Sequence, residues 1–339
     1  HGGVFFLKKW FWCLLFILSA LSCAVYGRGE SLVVYTYSSF PVPLMEEITK
    51  VFQEQYDIRV DFKAFSDTGP LFNQLIQEKK NPYADVVIGL DNNYFLQAVR
   101  ADLFQGYKPQ GAQKIREDLI FDPEFRLTPF DFGYVLFNYD SAKLERVPKT
   151  HQELIDPIYR GEIIIANPLT SSPGQVFLLT TVALFGEDGY LDYWRKLKDN
   201  ILAITPGWDE AYGMYTMGEA PIVLSYGTSP VFHLLYENTE RYKALVLDNS
   251  AYAQIEGAGI VKGAKNLNGA QKLLDYLLSV EFQALIAENQ FMLPVRTDVE
   301  LPESFRLAAQ AEQVLNLPPE QVEANLEKWL AEWEQVINE

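Results

Sequence analysis

Ala84-Asp85-Val86-Val87-Ile88-Gly89-Leu90-Asp91-Asn92-Asn93 decides the fold class. An apolar, β-branched run that stops on an acid and two amides reads as a buried strand delivering Asp91 and Asn92 to its carboxyl end. Open α/β sheets meet their ligands at such strand ends. A second apolar run, Pro221 to Leu224, leads likewise into Ser225-Tyr226-Gly227-Thr228-Ser229-Pro230. Two strand ends that offer polar and aromatic groups point to a cleft gripping a small molecule.

Outward from these runs, short apolar stretches alternate with amphipathic ones, the pattern of βαβ units. Strands are expected at Leu32 to Tyr37 and Ile58 to Phe62, and helices at Pro43 to Tyr56 and Gly69 to Lys80. The first helix has proline in its opening turn, where a missing N–H costs nothing. A second block opens near Thr128-Pro129-Phe130-Asp131, with strands at Tyr134 to Asn138, Glu162 to Ala166 and Leu202 to Ile204. Its helices fall at about Gln175 to Phe185 and Gly189 to Asp199. After Tyr252 the chain returns to the first block through a strand at Ile255 to Val261. Val322, Leu326, Trp329, Leu330, Trp333, Val336 and Ile337 then share one face of a terminal helix opened by Pro318-Pro319-Glu320.

Composition narrows the function. A chain of 339 residues that is 48% hydrophobic can bury two cores of ordinary size. Its net charge of −17 repels nucleic acid and anionic membrane surfaces and favours a cationic ligand. Residues 1–30 have the three parts of a secretory leader: Lys8 and Lys9, an apolar run from Trp10, and small residues before Cys23. Ala20-Leu21-Ser22-Cys23 resembles a lipobox, in which Cys23 is acylated; plain secretion and an uncleaved anchor are the alternatives. The chain's two cysteines, Cys13 and Cys23, both lie in this leader, so the body has no thiols for a disulfide or a Cys-ligated metal site.

Nothing in the chain reads as catalytic machinery. His151 and His233 stand apart from any nucleophile or metal motif, and Gly257-Ala258-Gly259-Ile260-Val261-Lys262-Gly263 misses the dinucleotide fingerprint by one position. It reads instead as a strand turning at a hinge. Thr170-Ser171-Ser172-Pro173-Gly174 sits at a helix start, where free N–H groups and the positive end of the dipole suit a phosphate or carboxylate; an ordinary N-cap would look the same. Tyr35, Tyr37, Trp208, Tyr212, Tyr226 and Phe291 collect at turns near the presumed cleft. Together with Asp91 they suit a flat cation.

Six motifs then occur in the order found in one family. They are Tyr35-Thr36-Tyr37-Ser38-Ser39-Phe40, Gly89-Leu90-Asp91-Asn92-Asn93, Pro129-Phe130-Asp131-Phe132-Gly133-Tyr134, Thr170-Ser171-Ser172-Pro173-Gly174, Gly207-Trp208-Asp209-Glu210-Ala211-Tyr212-Gly213 and Ser225-Tyr226-Gly227-Thr228-Ser229-Pro230. From about Ser31 to Glu334 the chain resembles the thiamine-binding periplasmic proteins, substrate-binding subunits of bacterial ABC importers. The resemblance implies an α/β, two-lobed periplasmic binding protein of type II, each lobe a mixed sheet flanked by helices. Residues 31–128 plus about 253–297 would form one lobe, and 129–252 plus about 298–339 the other.

Its implied ligand is thiamine, thiamine monophosphate or thiamine diphosphate, handed to permease subunits by a monomer that lies outside the cytoplasm, lipid-anchored through Cys23, with no cofactor, no metal and no catalysis. Tyr37 would stack on the aminopyrimidine, and Asp91, beside Asn92, would accept its hydrogen bonds. Ser171, Ser172, Gly174 and Trp208 would hold the hydroxyethyl or phosphate end, and Tyr226 would line the pocket. Phe232 and Phe291 stand where the family has a second stacking Tyr and a Trp. The alternative is a ferric-ion binding protein of the same fold. Such proteins carry two adjacent tyrosines, whereas Tyr226 is followed by Gly227.

Overall fold

The computed structural model describes residues 30–339; the leader and Cys23 lie outside the described residues. A mixed sheet runs through the whole of this part. Its main path follows eight strands: β1 (Ser31–Tyr37), β2 (Arg59–Phe65), β3 (Val86–Asp91), β5 (Thr128–Asp140), β6 (Ile163–Ala166), β7 (Ile201–Thr205), β8 (Ile222–Tyr226) and β10 (Ser250–Val261). Their spatial order is β2-β1-β3-β10-β5-β8-β6-β7. Four short strands attach at the sides: β4 (Phe104–Gln105) and β12 (Gln313–Leu315) on β10, and β9 (Tyr242–Leu245) and β11 (Leu293–Pro294) on β5.

Parallel pairing of β1 with β2 and β3, and of β6 with β7 and β8, gives two βαβ units. Antiparallel β5 and β10 join them at the centre, paired from Tyr252 with Val135 to Ala258 with Thr128. Both strands are longer than their apolar runs suggested, because each serves two cores. Phe130 of β5 and Ala258 and Ile260 of β10 pack with β1, β3 and the helices Val42–Tyr56, Leu267–Leu277 and Val280–Gln290. Val135 and Phe137 of β5 and Tyr252 of β10 pack in the other core, with β6 and the helical run Ser172–Leu197. The fold is therefore two-lobed, with the crossing strands between the lobes. Close to the crossing the β10–β5 register shifts between Glu256 and Gly257, and the β10–β3 register between Gly257 and Ala258.

The second lobe is closed by the C-terminus. The run Ser172–Leu197 breaks at Gly186, whose φ of 70° and ψ of 173° leave the helical region, which accounts for the two helices expected there. Helix Pro319–Asn338 buries Val322, Leu326, Trp329, Trp333 and Val336 against it, and Trp333 meets Trp194 edge-on at 5.7 Å. The tryptophan stripe is thus a docked core face. No helix among the described residues is long and apolar enough to cross a membrane.

Trp329 is fully buried. Trp329→Ala should destabilise the protein by about 3 to 5 kcal/mol, measured as a lower urea midpoint. An unchanged midpoint would mean that the terminal helix does not hold the second lobe together.

Candidate ligand-binding site

Between the lobes lies a cavity of about 500 Å³. Six of the ten residues expected to bind ligand line it: Tyr37, Ser172, Trp208, Tyr226, Phe232 and Phe291. Four acids also reach its wall, Asp67, Asp209, Glu237 and Glu256, and no lysine, arginine or histidine does. Rings and carboxylates without a basic side chain make a cation receptor.

Tyr37 breaks the alternation of β1, packing on the face of Leu32 and Val34 rather than on that of Tyr35. It ends β1 on the cavity side, whereas Tyr35, two residues earlier, lies in the core beneath β3, its hydroxyl donating to Glu78 at 2.9 Å. The expectation that both tyrosines edge the cleft therefore fails for Tyr35. The Tyr37 ring lies directly against Gly89, where an added β-carbon would come within 2.1 Å of it and where φ is +103°. This explains a glycine in the middle of a buried apolar strand. The Tyr37 hydroxyl donates to Glu256 Oε2 at 2.7 Å and accepts from Gln290 Nε2.

Facing it, Trp208 opens the helix Trp208–Thr216 and stacks on Tyr212, centroids 4.9 Å apart and planes within 18°. Its indole N–H donates to Ser225 Oγ at 3.0 Å, fixing the ring's direction. Tyr226 tilts toward Trp208 and donates to Gln254 Oε1 at 3.1 Å. Phe232 and Phe291 meet edge to face at 5.4 Å. Phe291 has φ of 55°, an unfavourable region for a bulky residue. Its carbonyl accepts from Thr228 Oγ1, a bond across to the second lobe that holds this strained turn.

Asp91, Asn92, Ser171 and Gly174 do not line the cavity. Asp91 is fully buried at the end of β3, its carboxylate accepting from the Asn93 N–H at 2.8 Å and from Ser172 Oγ. It holds a cavity residue in place from behind. Asn92 carries the β3–β10 pairing one residue past the end of β3, its amide oxygen accepting from the Ile255 N–H and its own N–H donating to the Ile255 carbonyl, both at 2.9 Å. Ser171 is the buried N-cap residue of the run Ser172–Leu197. Gly174 lets that helix approach β6, since a β-carbon there would sit 2.4 Å from the Ala166 carbonyl oxygen.

Asp67 and Glu256 were missed. Three helices start around Asp67: its carboxylate accepts from the N–H of Thr68 at 2.7 Å, of Trp208 at 3.2 Å and of Ser172 at 3.4 Å. The helix start expected to receive a ligand's phosphate thus already faces an anion. Asp67 precedes a helix and reads locally as an ordinary N-cap; its reach to the other lobe is invisible in sequence. Glu256 did leave a signal, as the one acid inside the apolar run Ile255 to Val261.

Residues 81–319 match the model for bacterial extracellular solute-binding proteins. The thiamine-binding periplasmic protein of Brucella abortus biovar 1 (strain 9-941) is 37% identical over 333 residues, 94% of this chain and 95% of that one. The protein of the same name from Escherichia coli (strain K12) is 34% identical over 98% of this chain and 99% of its own. The chain belongs to this family. A solved periplasmic thiamin binding protein superposes with a TM-score of 0.83 at 34% identity, covering 91% of this chain and 96% of that one. A ferric binding protein from Campylobacter jejuni, at a TM-score of 0.76 and 18% identity over 90% of this chain and 99% of its own, shares the fold alone. The family binds solutes in the periplasm and performs no catalysis.

In this solute-binding protein three buried acids at the cavity, Asp91, Glu256 and Asp131, are pushed up from the ordinary carboxylate range. Burial pushes the Asp91 carboxyl up to about 7 against the pull of the Asn93 N–H, and Glu256 is likewise pushed up by burial to about 7. Burial, followed by the Glu256 charge, raises Asp131 well above the carboxylate range. A folded-state pKa above the unfolded value means that the folded protein holds more protons between the two, so stability falls as pH rises through that window. The melting temperature should therefore drop between pH 5 and pH 8. One carboxyl moved from about 4 to about 7 accounts for roughly 3 to 4 kcal/mol. A melting temperature that rises across this range would show that these acids ionise normally in the fold.

Proposed function

We propose that this protein captures thiamine outside the cytoplasm and delivers it to the permease of an ABC importer. The observation that carries the reading is the cavity wall: aromatic rings on both lobes, four acids and no base. Thiamine is flat at both rings and permanently positive at the thiazolium. Ring faces supply roughly 0.5 to 2 kcal/mol each to such a cation when water is excluded. In this reading Tyr37 and Phe232 flank the pyrimidine, Tyr226 and Phe291 face the thiazolium, and Trp208 and Ser172 meet the hydroxyethyl end. Asp91 acts through Ser172 rather than on the pyrimidine. The lobes comprise 31–128 plus about 253–297, and 129–252 plus about 298–339, and they close on ligand by rotation about β5 and β10.

Thiamine phosphates fit the same reading without an added advantage. A phosphate next to Ser172 would compete with the Asp67 carboxylate for the same N–H donors. The protein acts as a monomer, and Cys23, in the leader, carries a lipid that tethers it to the membrane.

Calorimetry with residues 31–339 should show tight one-to-one thiamine binding, with thiamine monophosphate no more than about tenfold tighter, a difference of 1.4 kcal/mol. Thiamine should quench tryptophan emission, and Trp208→Phe should remove most of the quenching while keeping binding. A protein that ignores thiamine but forms a coloured ferric complex would overturn the assignment.

In the full-length protein, Cys23→Ser should move it from the membrane fraction to the soluble one, since acylation needs the thiol. Unchanged sedimentation with membranes would show that something other than a lipid on Cys23 holds it there.

A further inference from the structure

Glu256 and Asp131 face each other across the two strands that join the lobes, in direct register on β10 and β5. Glu256 reaches the cavity wall; Asp131 lies behind it, fully buried. No N–H or O–H of the described residues meets either Asp131 oxygen. Two buried carboxylates this close are unstable when both are ionised, and a proton between them removes the repulsion.

The other groups around Glu256 do not neutralise it. Tyr37 of β1 donates its hydroxyl at 2.7 Å, and the Gln254 and Gln290 amides donate at 3.3 and 3.4 Å. Asp91 of β3 is its register partner on the other side, Asp67 adds a further negative charge, and Tyr226 of β8 keeps its phenol proton. Pro294 of β11 covers Asp131 from its far side without a charge. Every charge facing the pair is thus negative, and the cavity wall beside it carries no base.

We propose that Glu256 is the carboxylate that meets the ligand's positive charge, and that Asp131 is a positioning residue that shares a proton with it while the cavity is empty. A cation at the wall takes over the proton's role, and the proton leaves to the buffer; only an O–H bond is broken. Burial holds Glu256 near neutrality in the empty site, so the exchange falls within the periplasmic range of pH. The inference rests on the thiamine reading above, deepening it by naming the acid that selects for charge and the proton that it gives up.

The sign follows from linkage. A cation favours the charged carboxylate, so binding releases a proton wherever the empty site is protonated, and affinity rises with pH until the empty site has ionised. An empty-site value near 7 predicts a gain of about tenfold in affinity between pH 6 and pH 8. Calorimetry with thiamine in pairs of buffers of unequal ionisation heat reads both quantities. Close to one proton should be released per thiamine at pH 6, and almost none at pH 8.

Glu256→Gln should weaken binding and abolish both the pH slope and the proton release, which also separates any titration of thiamine itself. Asp131→Asn should retain binding and move the rise in affinity to lower pH. Should Glu256→Gln fail to melt cooperatively, the proton count of the unmodified protein and the shift in Asp131→Asn decide the matter. Thiamine binding with a flat profile and no proton release, or a slope retained in Glu256→Gln, overturns this role for the pair and leaves the thiamine reading intact. No binding of thiamine at any pH overturns both.

Discussion

A strand that leaves one hydrophobic core and enters another must pass through the gap between them, and β5 and β10 do so side by side. Within that gap the side chains that face the cleft need not be apolar, since antiparallel strands stay paired with one face toward water. The chain places Asp131 and Glu256 there, facing each other, with Gln254 and the Tyr37 hydroxyl alongside. At the same level the pairing of β10 shifts register on both sides, passing over Gly89 of β3 and Phe130 of β5. The cavity exists because these two strands keep the lobes joined but apart.

The walls follow from the strands and helices that end at the gap. β1 and β3 bring Tyr37 and the glycine that lets its ring lie flat, and β8 brings Ser225 and Tyr226. Three helix starts converge from both lobes on Asp67, so a single carboxylate links the Thr68, Ser172 and Trp208 turns across the cleft. Asp91 adds a second link through Ser172 Oγ. Asp67 thus does two jobs, linking the lobes and adding an acid to the cavity wall.

Much of the fold was legible because burial on both faces makes β3 and β6 continuous apolar runs, and because the terminal helix repeats its apolar face for five turns. The length of β5 and β10 was not, since a strand shared by two cores changes its buried face part-way and breaks the period. The helix Trp208–Thr216 was obscured by Gly207 and Gly213, which read as turn residues; only the first lies at a boundary. At the site, the aromatic residues and Ser172 were visible as chemistry at strand and helix ends. Asp91 was visible too, but alternation cannot tell a side chain that faces the cavity from one that props its neighbour. Asp67 was hidden because two of its partners come from another lobe, and Glu256 because nothing in its own strand marks which side chains across the sheet it meets.

The central claim is that rings and carboxylates here select positive charge rather than shape. Its most direct test is a competition against thiamine by two fragments of the same outline, 4-methyl-5-(2-hydroxyethyl)thiazole and its N-methylated thiazolium cation. The cation should displace thiamine at least tenfold more effectively than the neutral ring, a difference of about 1.4 kcal/mol, within the range expected for desolvated cation–π contacts. Equal displacement by the two would show that the cavity reads shape alone and would contradict the assignment of its acids to the ligand's charge.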